Sequence, residues 1–256
     1  MLIQITNRCH MGCPHCMQES NPNGKHMTDE TFEQVLQFVK DAQPMVVNVS
    51  GGEPTEHPLW KAFSRRLLDV KSVMALSILT NGAWIEDTKK RIAMARFIRE
   101  AKGQVKVQVY SHPKYYRDHD WTVSHDKQYR SIGCIPDFTS PIFMQDLGRA
   151  RKNCQQEVAA HNHVPSCINS HLLALQASDQ THFHLMAAQA GKFCRPLIDP
   201  EGYIHMSESW KCQSVAHVSD GVELAFAKMK ASRPCGGCRL YRNFINRFPD
   251  AAEILK

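Results

Sequence analysis

The sequence predicts an α/β protein in which a partial parallel barrel, residues 1–150, precedes a cysteine-rich extension, residues 151–256. Apolar runs alternate with amphipathic segments up to residue 110, and this alternation indicates right-handed parallel β–α units. The alternation fails after residue 110, so we expect the barrel to be abbreviated after its fourth strand. Seven of the ten cysteines lie beyond residue 130, and this distribution sets the second half apart.

Four short apolar runs predict the parallel strands. They cover residues 1–5, 46–50, 73–79 and 104–110, and their length suits strands that are buried in an α/β sheet. The next apolar run, residues 141–144, follows an irregular aromatic and charged stretch. We therefore expect that either the helix after the fourth strand or the fifth strand is shortened.

Helical periodicity fills the intervals between these strands. Thr28 is a suitable N-cap for a helix whose apolar residues recur at i, i+3, i+4 and i+7. A second helix over residues 59–68 carries an apolar stripe that includes Leu59. A third is expected from about residue 87 to residue 101, where Gly103 ends it. In the second half, residues 196–204 predict a β-hairpin with a glycine turn.

Three cysteines follow the first strand with the spacing C-x3-C-x2-C, at Cys9, Cys13 and Cys16. Such spacing is typical of a 4Fe-4S cluster that three thiolates hold, and it leaves the fourth iron without a protein ligand. Zinc is the alternative, because His10 or His15 could supply a fourth ligand.

Two further motifs end the second and third strands. Gly51, Gly52, Glu53 and Pro54 follow the second strand, and a Thr-Asn-Gly turn that contains Asn81 follows the third. With the cysteine motif, they make the chain resemble the radical S-adenosylmethionine (SAM) enzymes, in which the three motifs occur in this order. The resemblance covers residues 1–112 well and residues 140–240 more loosely.

The resemblance implies a SAM-binding cluster on the three cysteines and a site at the carboxyl ends of the strands. It also implies that Gly51, Gly52 and Glu53 hold the methionyl amine of SAM. Independently, a Gly-Gly pair after a strand exposes backbone carbonyls that can accept hydrogen bonds from a cationic amine. Gln108 is a further candidate, with a buried structural amide as the alternative. The remaining predicted SAM contacts are His15, where the family usually has an aromatic residue, Asn81 and Arg149.

The second half carries a second set of cysteines, Cys194, Cys212, Cys235 and Cys238. Leu147-Gly148-Arg149-Ala150 resembles the segment that leads from the radical SAM barrel into the SPASM or twitch extension. The resemblance implies one auxiliary 4Fe-4S cluster on these four cysteines. The extension resembles the twitch type, because Ser207 stands where the long form has a cysteine. Structural zinc is the alternative for these four thiolates.

Cys134, Cys154 and Cys167 have no assigned role. They are expected to be small buried residues. The alternatives are an open metal site, if the three converge, or a thiol that donates a hydrogen atom to a substrate radical.

Charge and composition limit the expected cellular location of the protein and its expected partners. The formal net charge is +6, and no apolar stretch has the length of a membrane span, so we expect a cytoplasmic protein without a membrane partner. Four arginines near the terminal cysteines lack a full aromatic stacking platform, so nucleic acid is not expected as a partner. They are Arg233, Arg239, Arg242 and Arg247.

The resemblance implies reductive cleavage of SAM to a 5′-deoxyadenosyl radical that abstracts a hydrogen atom from the substrate. An electron donor such as flavodoxin or ferredoxin is the implied partner. We expect an oxidoreductase that oxidises or crosslinks a peptide or protein side chain, with the auxiliary cluster as electron acceptor. Dehydrogenation or epimerisation of a small aminocyclitol-like alcohol is the alternative, and a non-catalytic zinc-binding adaptor is the distant one. No catalytic side chain is assigned.

Overall fold

The computed structural model describes residues 1–110, 124–137, 147–156, 165–190, 195–207, 209–236 and 238–251. Its strands form one eight-stranded sheet in the order β5-β4-β3-β2-β1-β6-β7-β8. All neighbouring pairs from β5 to β6 are parallel, and β6-β7 and β7-β8 are antiparallel. The strands are β1 (Leu2–Thr6), β2 (Val46–Gly51), β3 (Ala75–Thr80), β4 (Val105–Tyr110), β5 (Cys134–Asp137), β6 (Leu197–Ile198), β7 (Tyr203–His205) and β8 (Ser214–His217).

Helices connect the parallel strands and continue through the second half. In the described ranges they are α1 (Asp29–Ala42), α2 (Trp60–Leu68), α3 (Thr88–Glu100), α4 (Asp126–Ser131), α5 (Ala150–Asn153), α6 (Ser166–Gln176), α7 (Gln180–Gln189), α8 (Gly221–Ala231) and α9 (Arg239–Arg247). None of the helices in the described part of the chain has both the length and the apolar character to cross a bilayer.

The expected abbreviation after the fourth strand is confirmed. Within the described residues, helix α4 has six residues and β5 has four, against six in β4. The apolar run at residues 141–144 lies outside the described residues. The mixed α/β architecture with a parallel central sheet is therefore the predicted partial barrel, and the domain boundary at residue 150 stays a prediction.

Helices α1 and α2 build the core on one face of this sheet. Thr28 caps α1, and its hydroxyl accepts a hydrogen bond from the Thr31 amide at 3.2 Å. The ring of Phe32 stacks on that of Phe63 in α2, with centroids 3.7 Å apart, and both side chains are buried. Burying one such ring contributes about 1.5 to 3 kcal/mol to folding.

The second and third helices each begin one residue later than the sequence predicted, at Trp60 and Thr88. Leu59 was wrongly placed in the apolar stripe, because it is the N-cap residue of α2 and remains 39% exposed. A residue at the cap lies outside the helical repeat, so the stripe does not orient its side chain. Asp87 caps α3 by accepting hydrogen bonds from the amides of Lys89 and Lys90, and Gly103 lies at φ +89° beyond its end.

The strands have one apolar face and one face on which polar and apolar side chains are mixed. Ile3, Val49 and Val107 belong to the core cluster that packs against the helices. On the opposite, inner face, Gln4 pairs laterally with Ser50, Asn48 with Ser77, and Ser77 with Lys106. Since side chains alternate along a strand, these polar residues share the inner face with apolar ones such as Leu2 and Leu79. Its polar members on the first four strands are Gln4, Asn48, Ser50, Ser77, Lys106 and Gln108.

The hairpin of the second half continues the barrel sheet. Leu197 and Ile198 pair in parallel with Leu2 and Ile3, and the Leu2 amide donates to the Pro196 carbonyl at 3.0 Å. The hairpin itself was predicted, with Gly202 in its turn at φ +87°. Its pairing with β1 was not predicted, because contacts between residues so far apart leave no local signal in the sequence.

Candidate active site

The first three cysteines lie in a loop that follows β1 at the carboxyl edge of the sheet. We call residues 7–20 the cysteine loop. Its cysteines are not bonded to one another; Cys9 is buried, and Cys13 and Cys16 are half-buried. The Cys9 amide donates to the Asn21 carbonyl at 3.0 Å, so the loop folds back on its own exit. Carboxyl edges of parallel strands are where α/β enzymes place their active sites.

The Cys9 thiol is an unusually weak acid for a metal ligand. Burial raises its pKa to about 12, and the nearby carboxylate of Glu53 contributes in the same direction, while a hydrogen bond with the backbone of Met11 opposes the shift. Without a metal this thiol is therefore protonated at neutral pH. Metal binding must displace that proton, because the thiolate is the form that ligates.

The Gly51-Gly52 pair brings the end of β2 against the cysteine loop. A Cβ on Gly51 would lie 2.3 Å from the Thr6 carbonyl oxygen, and one on Gly52 would lie 2.2 Å from that of Arg8. The Gly52 amide donates to the Thr6 carbonyl at 2.8 Å. Glycine is thus required here to fit the start of the loop, and the predicted contact of these residues with SAM stays a prediction.

Glu53 joins the ends of β2 and β3. Its side chain is 1% exposed. One carboxylate oxygen accepts from the hydroxyls of Thr55 and Thr80, at 2.6 and 2.8 Å, and the other accepts from the Asn81 amide at 2.8 Å. Burial raises the pKa of Glu53, and these hydrogen bonds oppose that shift. The contacts support a positioning role, and its direct contact with SAM stays a prediction.

Asn81 connects the turn after β3 to the first cysteine. Its side-chain amide donates to the Cys9 sulfur at 3.8 Å, and its side-chain oxygen accepts from the Ala83 amide at 2.9 Å. The Tyr129 hydroxyl donates to the Gly82 carbonyl at 2.9 Å and holds the same turn. The sequence analysis missed Tyr129, because α4 gives no local sign that it packs here.

Arg149 holds the other end of the cysteine loop. Its guanidinium donates to the carbonyls of Cys13 and Ser20, at 2.8 and 2.9 Å, and its backbone amide donates to that of Cys16 at 3.0 Å. Gly148 lies at φ +52°, and a Cβ there would be 2.6 Å from the Met17 carbonyl oxygen. The short segment before α5 therefore positions the loop. The predicted SAM contact of Arg149 stays a prediction.

His15 and Gln108 have less defined surroundings. His15 is buried within the cysteine loop. Gln108 is half-buried on the inner face of β4, where its side-chain oxygen accepts from the Tyr110 hydroxyl at 2.7 Å. His10, the alternative zinc ligand, contacts the Glu56 carboxylate. The roles of His15 and Gln108 toward SAM stay predictions.

A second group of cysteines lines one cavity of about 260 Å³ in the second half. We call it the cysteine cavity. Among the described residues, four cysteines line it: Cys212, Cys235 and Cys238 belong to the predicted auxiliary set, and Cys167 was left unassigned by the sequence. Cys194 lies outside the described residues.

Buried polar contacts hold Cys212 beside the hairpin. The two nitrogens of the His205 ring lie 2.9 Å from the Cys212 carbonyl oxygen and 3.0 Å from the Asp199 carboxylate. Asp199 also accepts from the amides of Glu201 and Tyr203, so it organises the hairpin turn. Burial raises the pKa of the Cys212 thiol to about 11.

The cysteine cavity adjoins the cysteine loop. The Trp210 indole donates to the Gln18 carbonyl at 3.0 Å, and the Ser209 hydroxyl donates to the Met17 carbonyl at 3.2 Å. Leu147 lines the cavity, and Arg149, two residues later, holds the loop. The two sites are therefore fixed relative to each other by direct contacts.

The other two unassigned cysteines, Cys134 and Cys154, are buried, in agreement with the expectation of small core residues. In the described ranges, no three His, Cys, Asp or Glu side chains come together closely enough to share one metal ion.

Comparisons with known proteins give the family. The family model of the radical SAM superfamily matches residues 3–132. A PqqA peptide cyclase from Bradyrhizobium diazoefficiens is 37% identical over 57 residues, which are 22% of this chain and 15% of that protein. A GTP 3′,8-cyclase from Campylobacter jejuni is 30% identical over 100 residues, which are 36% of this chain and 30% of that protein. The chain thus spans less than a third of the length of these curated relatives.

A solved structure extends the similarity of fold to the second half. The crystal structure of BtrN in complex with AdoMet and 2-DOIA has a TM-score of 0.59 to this chain at 11% sequence identity. The similarity covers 93% of this chain and 91% of BtrN, and at this identity it concerns the fold. The family match spans just over half of the 256 residues and contains all three motifs, so the chain belongs to the radical SAM superfamily.

Proposed function

We propose that the cysteine loop holds a 4Fe-4S cluster through Cys9, Cys13 and Cys16, and that the protein uses it with SAM to oxidise a substrate. The observation that carries the proposal is the arrangement of three unbonded thiols on one loop at the carboxyl edge of the parallel sheet. The donor set fits the group, because three thiolates leave one iron open for SAM. When bound, cluster and SAM together supply the 5′-deoxyadenosyl radical that abstracts a hydrogen atom.

The residues around the loop fix its geometry. Arg149 and the Glu53 amide hold the backbone of the loop: Arg149 donates to loop carbonyls at 2.8 to 3.0 Å, and the Glu53 amide donates to the Arg8 carbonyl at 2.8 Å. Asn81 donates to the Cys9 sulfur at 3.8 Å, and such a donor would favour the thiolate once a metal displaces the proton. Glu53 holds Asn81 in place and is itself fully engaged by protein donors. These contacts with the loop hold the three cysteine sulfurs in position before a metal binds.

The second half supplies thiols for an electron acceptor. A two-electron oxidation that begins with hydrogen-atom abstraction must still remove one electron and one proton from the substrate. The thiols of Cys212, Cys235 and Cys238 around one cavity fit an auxiliary 4Fe-4S cluster, which would make the extension twitch-like. The contact between Trp210 and the cysteine loop keeps this cavity next to the first site.

Two substrate classes are candidates. Peptide or protein modification is the first, and the short match to PqqA peptide cyclase supports it. A small polar alcohol is the second. The polar side chains of Gln4, Asn48, Ser77 and Lys106 on the inner face favour it, and so does the fold similarity to BtrN, whose structure contains 2-DOIA. These observations favour the small polar substrate over the peptide.

The test begins with anaerobic reconstitution with iron and sulfide. We expect about eight iron atoms per chain if both sites hold four-iron clusters, and formation of 5′-deoxyadenosine when SAM and a strong reductant are added. A colourless protein that binds zinc in place of iron and forms no 5′-deoxyadenosine would refute the proposed enzymatic function and support the zinc-binding adaptor.

The substrate class is tested with the same protein. Candidate peptides and small polyols are incubated with SAM and reductant, and products are measured by mass spectrometry. A two-electron loss of mass in a polyol, with peptides unchanged, would support the small-substrate class. The reverse result would support peptide modification.

A further inference from the structure

A buried network of hydrogen bonds connects Tyr129 in α4 to the cysteine loop, and neither the motifs nor the family resemblance gives Tyr129 a role. Its side chain is fully buried, and its hydroxyl donates to the Gly82 carbonyl at 2.9 Å. Gly82 lies at φ +82°, and a Cβ there would be 2.6 Å from the Tyr129 hydroxyl oxygen. Glycine is therefore needed at position 82 for the tyrosine to reach the turn of residues 80–82.

Thr80 connects the same turn to the end of β2. The Trp84 indole and the Gly82 amide donate to the Thr80 hydroxyl oxygen, at 3.0 and 3.1 Å. The hydroxyl in turn donates to the Glu53 carboxylate at 2.8 Å, so its single proton is committed to that bond. The Trp84 ring lies edge-on to the Tyr129 ring, with centroids 5.7 Å apart. Both aromatic side chains therefore support the turn of residues 80–82.

This turn determines which end of the Asn81 side chain faces Cys9. The Asn81 backbone amide donates to Glu53 at 2.8 Å, and its side-chain oxygen accepts from the Ala83 amide at 2.9 Å. Because the oxygen already faces a backbone donor, the NH2 end is the one that points to the Cys9 sulfur, 3.8 Å away. The sulfur thus receives an N–H group whose orientation is set by the backbone of the turn.

An N–H donor to a ligating sulfur changes the reduction potential of an iron–sulfur cluster. The reduced cluster carries one more negative charge than the oxidised cluster, so the donor stabilises the reduced form more and the potential rises. Burial strengthens the effect, because a low dielectric constant screens the interaction less. The Asn81 and Cys9 residues are only 9% and 7% exposed.

We propose that Tyr129 and Trp84 are positioning residues of the first site. Through the turn of residues 80–82 they hold the Asn81 amide against the Cys9 sulfur, and this hydrogen bond raises the reduction potential of the cluster on the cysteine loop. The inference rests on the proposed function, because it needs an iron cluster on that loop. It makes α4, the short helix after β4, part of the support of the first site.

The test measures the reduction potential of this cluster by spectroelectrochemical titration. A background with Cys212→Ala, Cys235→Ala and Cys238→Ala removes the predicted auxiliary cluster, so that one cluster is titrated. In the chain with all its cysteines, the signal that changes when SAM is added belongs to the same cluster. That second measurement gives the potential if the background does not fold.

Three variants act on the network at different distances from the sulfur. Asn81→Leu removes the donor itself, and we expect it to lower the potential by about 59 mV, which is tenfold in the one-electron equilibrium constant. Tyr129→Phe and Trp84→Phe remove only the groups that hold the turn, so they should lower the potential by a smaller amount. The control Ser64→Ala removes a buried hydroxyl that donates to a carbonyl within α2, at 2.7 Å, and should leave the potential unchanged.

The iron-free protein gives a second readout. Cys9 is buried, so its alkylation should be slow in the wild-type protein and in Ser64→Ala. In Tyr129→Phe we expect alkylation of Cys9 to be several-fold faster, because the turn that covers the sulfur is released. Peptide mass spectrometry identifies the labelled cysteine, and the unfolding free energies of the two variants distinguish local release from global instability.

The outcomes separate this inference from the proposed function. Potentials of Tyr129→Phe and Trp84→Phe equal to that of Ser64→Ala, with iron retained, would overturn the inference and leave the proposed function intact. A wild-type protein that binds no iron would refute the proposed function and, with it, the effect on the potential. The alkylation rate of Cys9 would then still decide whether Tyr129 holds the turn against the sulfur.

Discussion

The two cysteine sites of this chain are assembled in different ways. The cysteine loop carries Cys9, Cys13 and Cys16 within eight consecutive residues, directly after β1. The cysteine cavity collects its thiols from α6, from the chain between β7 and β8, and from the N-terminus of α9. A contiguous site depends on local backbone geometry, whereas a dispersed site depends on how distant elements pack. The difference determines which variants should disable each site.

The sharpest test of the contiguous site is removal of one of its ligands. Cys16→Ala leaves two thiols on the loop, too few to hold the cluster that binds SAM, so 5′-deoxyadenosine formation should fall below detection in a chromatographic assay. Cys134→Ala should keep the wild-type rate. A Cys16→Ala protein that still cleaves SAM would contradict the assignment of the loop.

A ligand of the dispersed site should affect only the second half. Cys238→Ala should lower bound iron from about eight to about four atoms per chain, while cleavage of SAM continues within a few-fold of the wild-type rate. Cys238→Ser keeps an oxygen that can cap α9, so it separates loss of the ligand from loss of the cap. Simultaneous loss of both clusters in Cys238→Ser would show that the two sites are not independent.

The loop should also depend on the residue that holds it. Arg149→Ala removes two hydrogen bonds to loop carbonyls, and loss of such outer contacts typically costs roughly 10- to 100-fold in metal affinity or activity. The measurement is the rate of iron loss to a chelator, together with the rate of 5′-deoxyadenosine formation. Arg130→Ala removes an exposed arginine paired with Asp126 and should change neither. Equal rates in the two variants would argue against the positioning role.

Backbone fit at the loop can be measured by stability. Gly103→Ala introduces a Cβ at positive φ in open space, and we expect it to lower the free energy of unfolding by about 1 to 2 kcal/mol. Gly148→Ala has the same conformational cost and adds a Cβ 2.6 Å from the Met17 carbonyl oxygen, which should cost about 1 to 3 kcal/mol more. Urea unfolding of both variants gives the difference between their losses of unfolding free energy. Equal losses would show that the loop backbone moves to accommodate the added Cβ at no cost.

The smallest expected effect concerns pH. Folding raises the pKa of Glu53 above its ordinary value of 4.5, so the folded protein binds the proton more tightly than the unfolded chain. Its contribution to stability is present below pH 4.5 and is lost as pH rises through the folded pKa. In the iron-free protein, Glu53→Gln should flatten the decrease of unfolding free energy above pH 4.5. An unchanged slope would indicate that other groups dominate it.

Local signals account for what the sequence analysis predicted correctly. Apolar runs, helical periodicity and the Thr28 cap predicted β1 to β4 and α1 to α3, because periodicity and capping act within a few residues. The Gly51-Gly52 pair was recognised by its motif, although its fit against the Thr6 and Arg8 carbonyls was not foreseen. The prediction that Leu59 belongs to the apolar stripe was wrong, because a cap residue does not follow the helical repeat.

Tertiary packing accounts for what the sequence could not give. Nothing near Tyr129 indicates that its hydroxyl reaches the Gly82 carbonyl, and nothing near Cys167 indicates that it lies beside Cys238. The role of Arg149 toward the loop likewise depends on contacts across more than a hundred residues. Such contacts are consequences of the assembled sheet and have no periodicity of their own.

The pairing of β6 with β1 has a practical consequence for anyone who shortens the protein. β1 lies between β2 and β6, so removing everything after residue 150 would strip one side of this buried strand. Its uncovered amides and carbonyls would then be a template on which a second molecule could add a strand, and such edges promote aggregation. An expression fragment meant to carry only the first cysteine site should therefore retain the hairpin, or replace it with a charged or proline-containing strand.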